Sequence, residues 1–97
     1  MRMLVICDTT DIIEVPQFVI DDRELYRRRF RKWIQDETVS HKYWVAFPDG
    51  SKGLRFRTGA FVEWLNKKVL KSIEDKARIV AECVDEEQYK DLPSTWF

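Results

Sequence analysis

The apolar positions of this chain change period several times, and each change marks an element. Residues 1–7 (MRMLVIC) are apolar on both faces, the pattern of a strand covered on both sides. Asp8-Thr9-Thr10-Asp11 is turn chemistry, because short oxygen-bearing side chains satisfy nearby backbone groups. Residues 12–20 are β-branched and apolar but contain Pro16, which cannot donate to a ladder. They therefore predict an edge strand, broken at the proline.

The period then becomes helical. Asp21 and Asp22 supply a cap and negative charge for a helix over 22–36, whose apolar stripe is Tyr26, Phe30, Trp33 and Ile34, flanked by Leu25. Arg27, Arg28, Arg31 and Lys32 fall off that stripe and are expected in water. Residues 41–47 (HKYWVAF) read as an aromatic strand, and the Pro48–Gly53 stretch as a turn. Leu54, Arg55, Phe56 and Arg57 alternate strictly, which sends Leu54 and Phe56 to the core and both arginines outward. Thr58 is placed to cap a second helix over 59–73, with Phe61, Val62, Leu65, Val69 and Ile73 inward. Residues 77–84 form a last strand, 85–91 a short helical turn and 92–97 an extended tail.

The order β–(β)–α–β–β–α–β over one domain, 1–97, predicts an α+β fold of the ferredoxin-like, split βαβ type. Its antiparallel sheet would carry both helices on one face and leave room for an extra N-terminal edge strand. The alternative is a more irregular α+β sheet in which residues 12–20 pair with the first strand as a hairpin.

Composition supports a packed chain: 44% of residues are hydrophobic and 13 are aromatic, four of them Trp, each large ring burying roughly 150–250 Å². Net charge is zero, so a strongly basic nucleic-acid binder is not indicated, yet the charges are segregated. Five of the six residues 27–32 are basic, whereas 82–91 hold five acids against Lys90. The first apolar run is too short for a signal h-region of roughly 7–15 residues. With Cys7 and Cys83 both in apolar runs, this predicts a cytoplasmic protein with reduced thiols.

Catalytic and metal chemistry finds little purchase. His41 is the sole histidine and the two cysteines are 76 positions apart, so no zinc-ligand spacing exists and no cofactor is expected. A thiol–imidazole pair would require Cys7 or Cys83 to meet His41 in space. Asp8 and Asp11 follow a strand, but Asp-Thr-Thr-Asp lacks the Asp-x-Asp of haloacid-dehalogenase phosphatases and reads as a capping turn. Acylphosphatases are ferredoxin-like, but the Gly-rich, Arg-ended loop they carry after the first strand is missing here. Lys52-Gly53-Leu54-Arg55-Phe56 resembles the RNP1 run of RNA-recognition motifs, which implies base stacking on that strand. Its alternation instead turns the apolar pair inward, because burying Arg55 and Arg57 unpaired would cost several kcal/mol.

What remains is binding. The expected surface consists of Trp44, Arg55 and Arg57 on the open sheet face, and Arg28, Arg31 and Lys32 on the first long helix. Arginine forks suit carboxylate or phosphate, and exposed Trp beside Arg has the composition of an interface hot spot. The expected function is a non-catalytic protein-binding module of the small intracellular inhibitor type, such as an immunity protein, an antitoxin or a phage-encoded regulator. The alternative is nucleic-acid binding through the basic face of helix 22–36. No membrane partner is expected, and a homodimer through the sheet face is the default if neither partner binds.

Overall fold

The computed structural model describes residues 1–36, 42–54 and 56–97. Strands β1 (Arg2–Ile6) and β2 (Thr10–Glu14) form an antiparallel hairpin with Met3 opposite Ile13 and Leu4 opposite Ile12. Its turn closes when Cys7 N–H donates to the Thr9 carbonyl at 2.9 Å. Pro16 lies beyond the ladder, where its missing N–H removes no hydrogen bond. It is the N-cap of the short helix α1 (Gln17–Asp21), where its backbone is still extended. The expected edge strand over 12–20 is thus half strand and half helix. It is not an edge either, because β5 (Arg78–Ala81) pairs with the other side of β2.

The main sheet has the order β5-β2-β1-β6, where β6 (Ser94–Trp96) runs parallel to β1. The 92–97 tail therefore becomes a sheet strand, held by Leu4 N–H to Pro93 O at 2.8 Å and Phe97 N–H to Ile6 O at 2.9 Å. With β6 on the free side of β1, the hairpin β3 (Trp44–Ala46) and β4 (Lys52–Leu54) has no place in that sheet and stands as a separate two-stranded one. The fold is small and α+β with a mixed sheet and three helices. The ferredoxin-like expectation is corrected: the split βαβ order is not formed, and residues 12–14 pair with β1 as the alternative required.

Helix α2 (Arg23–Gln35) matches its periodicity closely and buries Phe30 and Ile34. Helix α3 (Thr58–Trp64) does not use Thr58 as its cap. It continues as a π-helical segment, Leu65–Val69, and stops before the predicted end at 73. Two side chains end it. Lys76 Nζ donates to the Leu70 carbonyl, as cations do at helix C-termini. Asn66 then brackets the return strand, donating to Ala77 O at 3.0 Å and accepting from Ala77 N–H at 2.8 Å. Ala77 is buried, so Asn66→Ala leaves its amide groups unpaired and is expected to cost about 1–3 kcal/mol in urea unfolding.

Alternation in β1 and β2 assigns the two sheet faces. Met3, Val5, Ile13 and Val15 join the cluster under the helices, whose centre is aromatic. The Phe30 ring lies 5.4 Å from Phe61, 5.9 Å from Trp64 and 5.2 Å from Phe97. Leu4 and Ile12 point the other way yet are also buried, at 2% and 3% exposure. Topology explains the cover. Strands β5 and β6 are parallel and at opposite edges, so residues 82–93 must recross the sheet on the face the helices leave open. Val84, Tyr89 and Leu92 of this acidic crossover are partly buried. The middle of the sheet face expected to be open to partners is covered, while the row of Arg2, Glu14 and Arg78 across it stays open, with both arginines exposed.

The β3–β4 hairpin is tied to α3 by a polar cluster. The Tyr43 hydroxyl donates to Glu63, which also pairs with Lys67 at 2.7 Å and Lys42 at 3.4 Å. Burial and the Glu63 carboxylate push the Tyr43 phenol up. The Lys67 ammonium, the Tyr43 hydroxyl and Lys42 hold Glu63 down at about 2, against an ordinary 4.5. A carboxyl depressed in the folded state stabilises above its unfolded value and loses that contribution as pH falls through the folded one. Stability should therefore drop between pH 4.5 and 2. Glu63→Gln, which cannot titrate, should flatten that part of a pH series of urea midpoints.

Candidate docking surface

Helix α2 presents three flanks. The first carries Arg23, Arg27 and Arg31, spaced four apart so that they stack on one side. Arg23 Nε donates to Ser94 O at 3.0 Å and Arg27 Nη1 to Trp96 O at 3.5 Å. The Arg27 guanidinium also sits 5.0 Å from the Trp96 ring centre, and that of Arg31 5.5 Å from Phe56. Ser94 and Trp96 are the β6 residues whose backbone faces away from β1. Two rungs of this ladder therefore cap carbonyls on an otherwise open sheet edge, a known protection against strand addition. Arg31 was expected in water as a partner contact. It is half-buried and stacks on Phe56, because its long stem reaches the seam between α2 and the residues leading into α3.

The second flank points to solvent and carries Arg28 and Lys32, both exposed as the periodicity predicts. On the third flank Arg29 is exposed and Trp33 half-buried. Among the described residues no carboxylate pairs with Arg28, Arg29 or Lys32, whereas Arg27 has Glu24 at 3.7 Å. Sequence alternation missed Arg29 and Trp33 as surface candidates, since one reads as solvated and the other as core. Only the groove between helices shows that they share a rim. Together with Lys32, Asp36, Trp64, Lys68 and Val69 they line a groove of about 470 Å³ between α2 and the π segment.

The strand-borne candidates do not join this surface. Trp44 is half-buried opposite Leu54, not exposed on an open sheet face. In its place Phe47, which alternation puts on the face of Tyr43 and Val45, is 49% exposed and lies over Gly53, where an added Cβ would come within 2.6 Å of its ring. The faces of the short hairpin are thus partly exchanged. Arg55 lies outside the described residues. Arg57 is exposed as alternation required, but it opens onto a different cleft. Trp96 is 58% exposed while its neighbour Phe97 anchors the core, so only one of the two C-terminal rings is tucked in.

The Arg57 cleft, of about 490 Å³, gathers Cys7, Asp8, Asp11, Thr58, Glu82 and Cys83 at the ends of β1 and β5. Asp11 is its fixed point, at 5% exposure. It accepts from the Thr9 hydroxyl at 3.1 Å, from the Cys83 N–H at 3.0 Å and from the Thr58 hydroxyl. Its oxygens thus hold the turn, the start of α3 and the end of β5 together. Cys83, with φ of 54°, adopts the left-handed conformation that non-glycine residues rarely take. Cys7 Sγ lies 3.6 Å from Thr58 Oγ1. Strand β2 separates the two cysteines. Both thiols are free, and His41 lies outside the described residues.

Among the described residues no group of three or more His, Cys, Asp or Glu is arranged to hold a metal ion, and no helix is long and apolar enough to cross a membrane. No family model matches this chain, and no curated protein or solved structure matches it either.

Proposed function

We propose that this chain is a non-catalytic protein-binding domain that docks an acidic partner surface through α2, acting stoichiometrically as a small cytoplasmic inhibitor does. One observation carries the reading. Arg28, Arg29 and Lys32 are exposed on one helix without a described carboxylate partner, although the chain holds as many acids as bases. The acids of 82–91 lie in the segment between β5 and β6, and none of them forms an ion pair with an α2 cation among the described residues. Like charges held side by side repel until a counter-charge arrives, and a complementary surface speeds encounter and selects the partner. The internal engagement of Asp11 supports the non-catalytic part, since a carboxylate with three fixed donors is a joint and not a free base.

The test is capture from the native host with nuclease present, comparing the natural chain with Arg28→Glu/Arg29→Glu/Lys32→Glu. All three sites are exposed, so the variant should melt where the parent does. A discrete protein captured by the parent and lost by the variant is the expected result. Retention of nucleic acid alone, falling steeply with salt, would replace this reading with the phosphate-binding one. Capture unaffected by the triple reversal would remove α2 from the interface.

A further inference from the structure

We infer that the groove between α2 and the π segment seats one aliphatic or aromatic side chain from an acidic segment of the partner. Carboxylates flanking that side chain would meet Arg29, Lys32 and Lys68. The inference rests on the protein-binding reading above and adds the chemistry of the segment recognised.

The groove has an apolar floor and a cationic rim. Trp64, at 5% exposure, and the half-buried Trp33 and Val69 form the floor. Arg29 and Lys32 belong to the α2 wall and Lys68 to the opposite wall, with Asp36 the single acid among the described lining residues. None of the three cations has a described carboxylate partner. Three cations around an apolar floor are complemented by an anion with an apolar portion. The π geometry contributes directly. Leu70 N–H reaches back five residues to Leu65 O at 2.7 Å, and this wider turn carries Lys68 and Val69, two of the lining residues.

A protein segment fits better than nucleic acid. Base stacking needs an exposed ring face, and this floor offers only part of one, since Trp64 is almost wholly enclosed and Trp33 is half-buried. A recess of this kind takes a branched or ring side chain end-on, the way interface hot spots fill pockets ringed by polar contacts. The groove volume is within the usual range for ligand clefts, roughly 300–1,000 Å³.

The test uses the ¹⁵N-labelled full chain and a short synthetic peptide with one leucine flanked by glutamates. The indole N–H signals of the four tryptophans are followed during titration. Saturable movement of the Trp33 and Trp64 signals, with Trp96 unmoved, is the expected result. Lys68→Glu should weaken binding about tenfold, and replacing the peptide leucine with serine should abolish the indole shifts. A peptide that binds equally well without its leucine, or is indifferent to Lys68→Glu, overturns the groove. The α2 reading would survive that outcome if Arg28→Glu still weakens the peptide. No peptide binding, with host-protein capture still lost in the triple variant, also overturns the groove alone. Indole shifts with oligodeoxythymidine but not with the peptide would overturn both readings.

Discussion

Phe30→Ala should destabilise the protein by about 3–5 kcal/mol, the largest single loss expected from any core truncation here. Phe30 is fully buried, and its ring contacts Trp33, Phe61, Trp64 and Phe97 within 6.2 Å. It joins α2, α3 and the C-terminal strand at one point. Its removal leaves a cavity bounded by rings that cannot collapse together, since each is held on a different element. Small domains have only about 5–15 kcal/mol in total, so the variant should approach its unfolding threshold at physiological temperature. Urea midpoint and thermal melting measure the loss. A cost near 1 kcal/mol would mean that these rings do not meet as described. Phe30→Leu, which keeps most of the volume, should recover a large part of the stability.

Asp11→Ala should cost about 2–4 kcal/mol, more than an ordinary polar truncation. The carboxylate is buried and accepts from three donors on three elements, among them the hydroxyl of Thr58, itself 3% exposed. Removing it strands those donors and releases the left-handed backbone at Cys83. Asp11→Asn keeps one carbonyl acceptor and should lose less. The order Ala worse than Asn, read from urea unfolding and from faster hydrogen exchange at the Cys83 amide, tests the role of Asp11 as a joint. If Asp11→Ala is neutral in stability, that carboxylate is free for other chemistry and the non-catalytic proposal weakens.

Legibility varied with how local the determining physics was. Helix α2 was readable because its stripe, acidic start and basic outer face are all set within thirteen consecutive residues. Strand β1 was readable because both its faces are apolar, and the structure covers both. The outward direction of Arg57 and the inward direction of Leu54 and Phe56 follow from alternation and hold. Pro16 misled because its meaning depends on where the strand ends. Inside a ladder it marks an edge, and one residue beyond a ladder it starts a helix. The hairpin at 44–54 misled because three-residue strands carry too little alternation to fix which face is covered.

The candidate site divides the same way. Arg28 and Lys32 were identifiable from helical angle alone. Arg31 was not, because its stacking on Phe56 joins residues 25 positions apart in the chain. Arg29, Lys68 and the tryptophan floor were not identifiable either, since their grouping requires the angle and distance between two helices.

The presence and faces of α2, the two-sided burial of β1 and the segregation of charge were determined by the sequence alone, because periodicity acts over a few residues. The tertiary structure alone decided that β6 takes the free edge of β1, that Leu4 and Ile12 are buried on the second sheet face, and that a cationic groove opens beside α2. Each is a competition between distant segments for one surface. It is settled by which pairing buries more apolar area and satisfies more backbone, a comparison no local pattern contains.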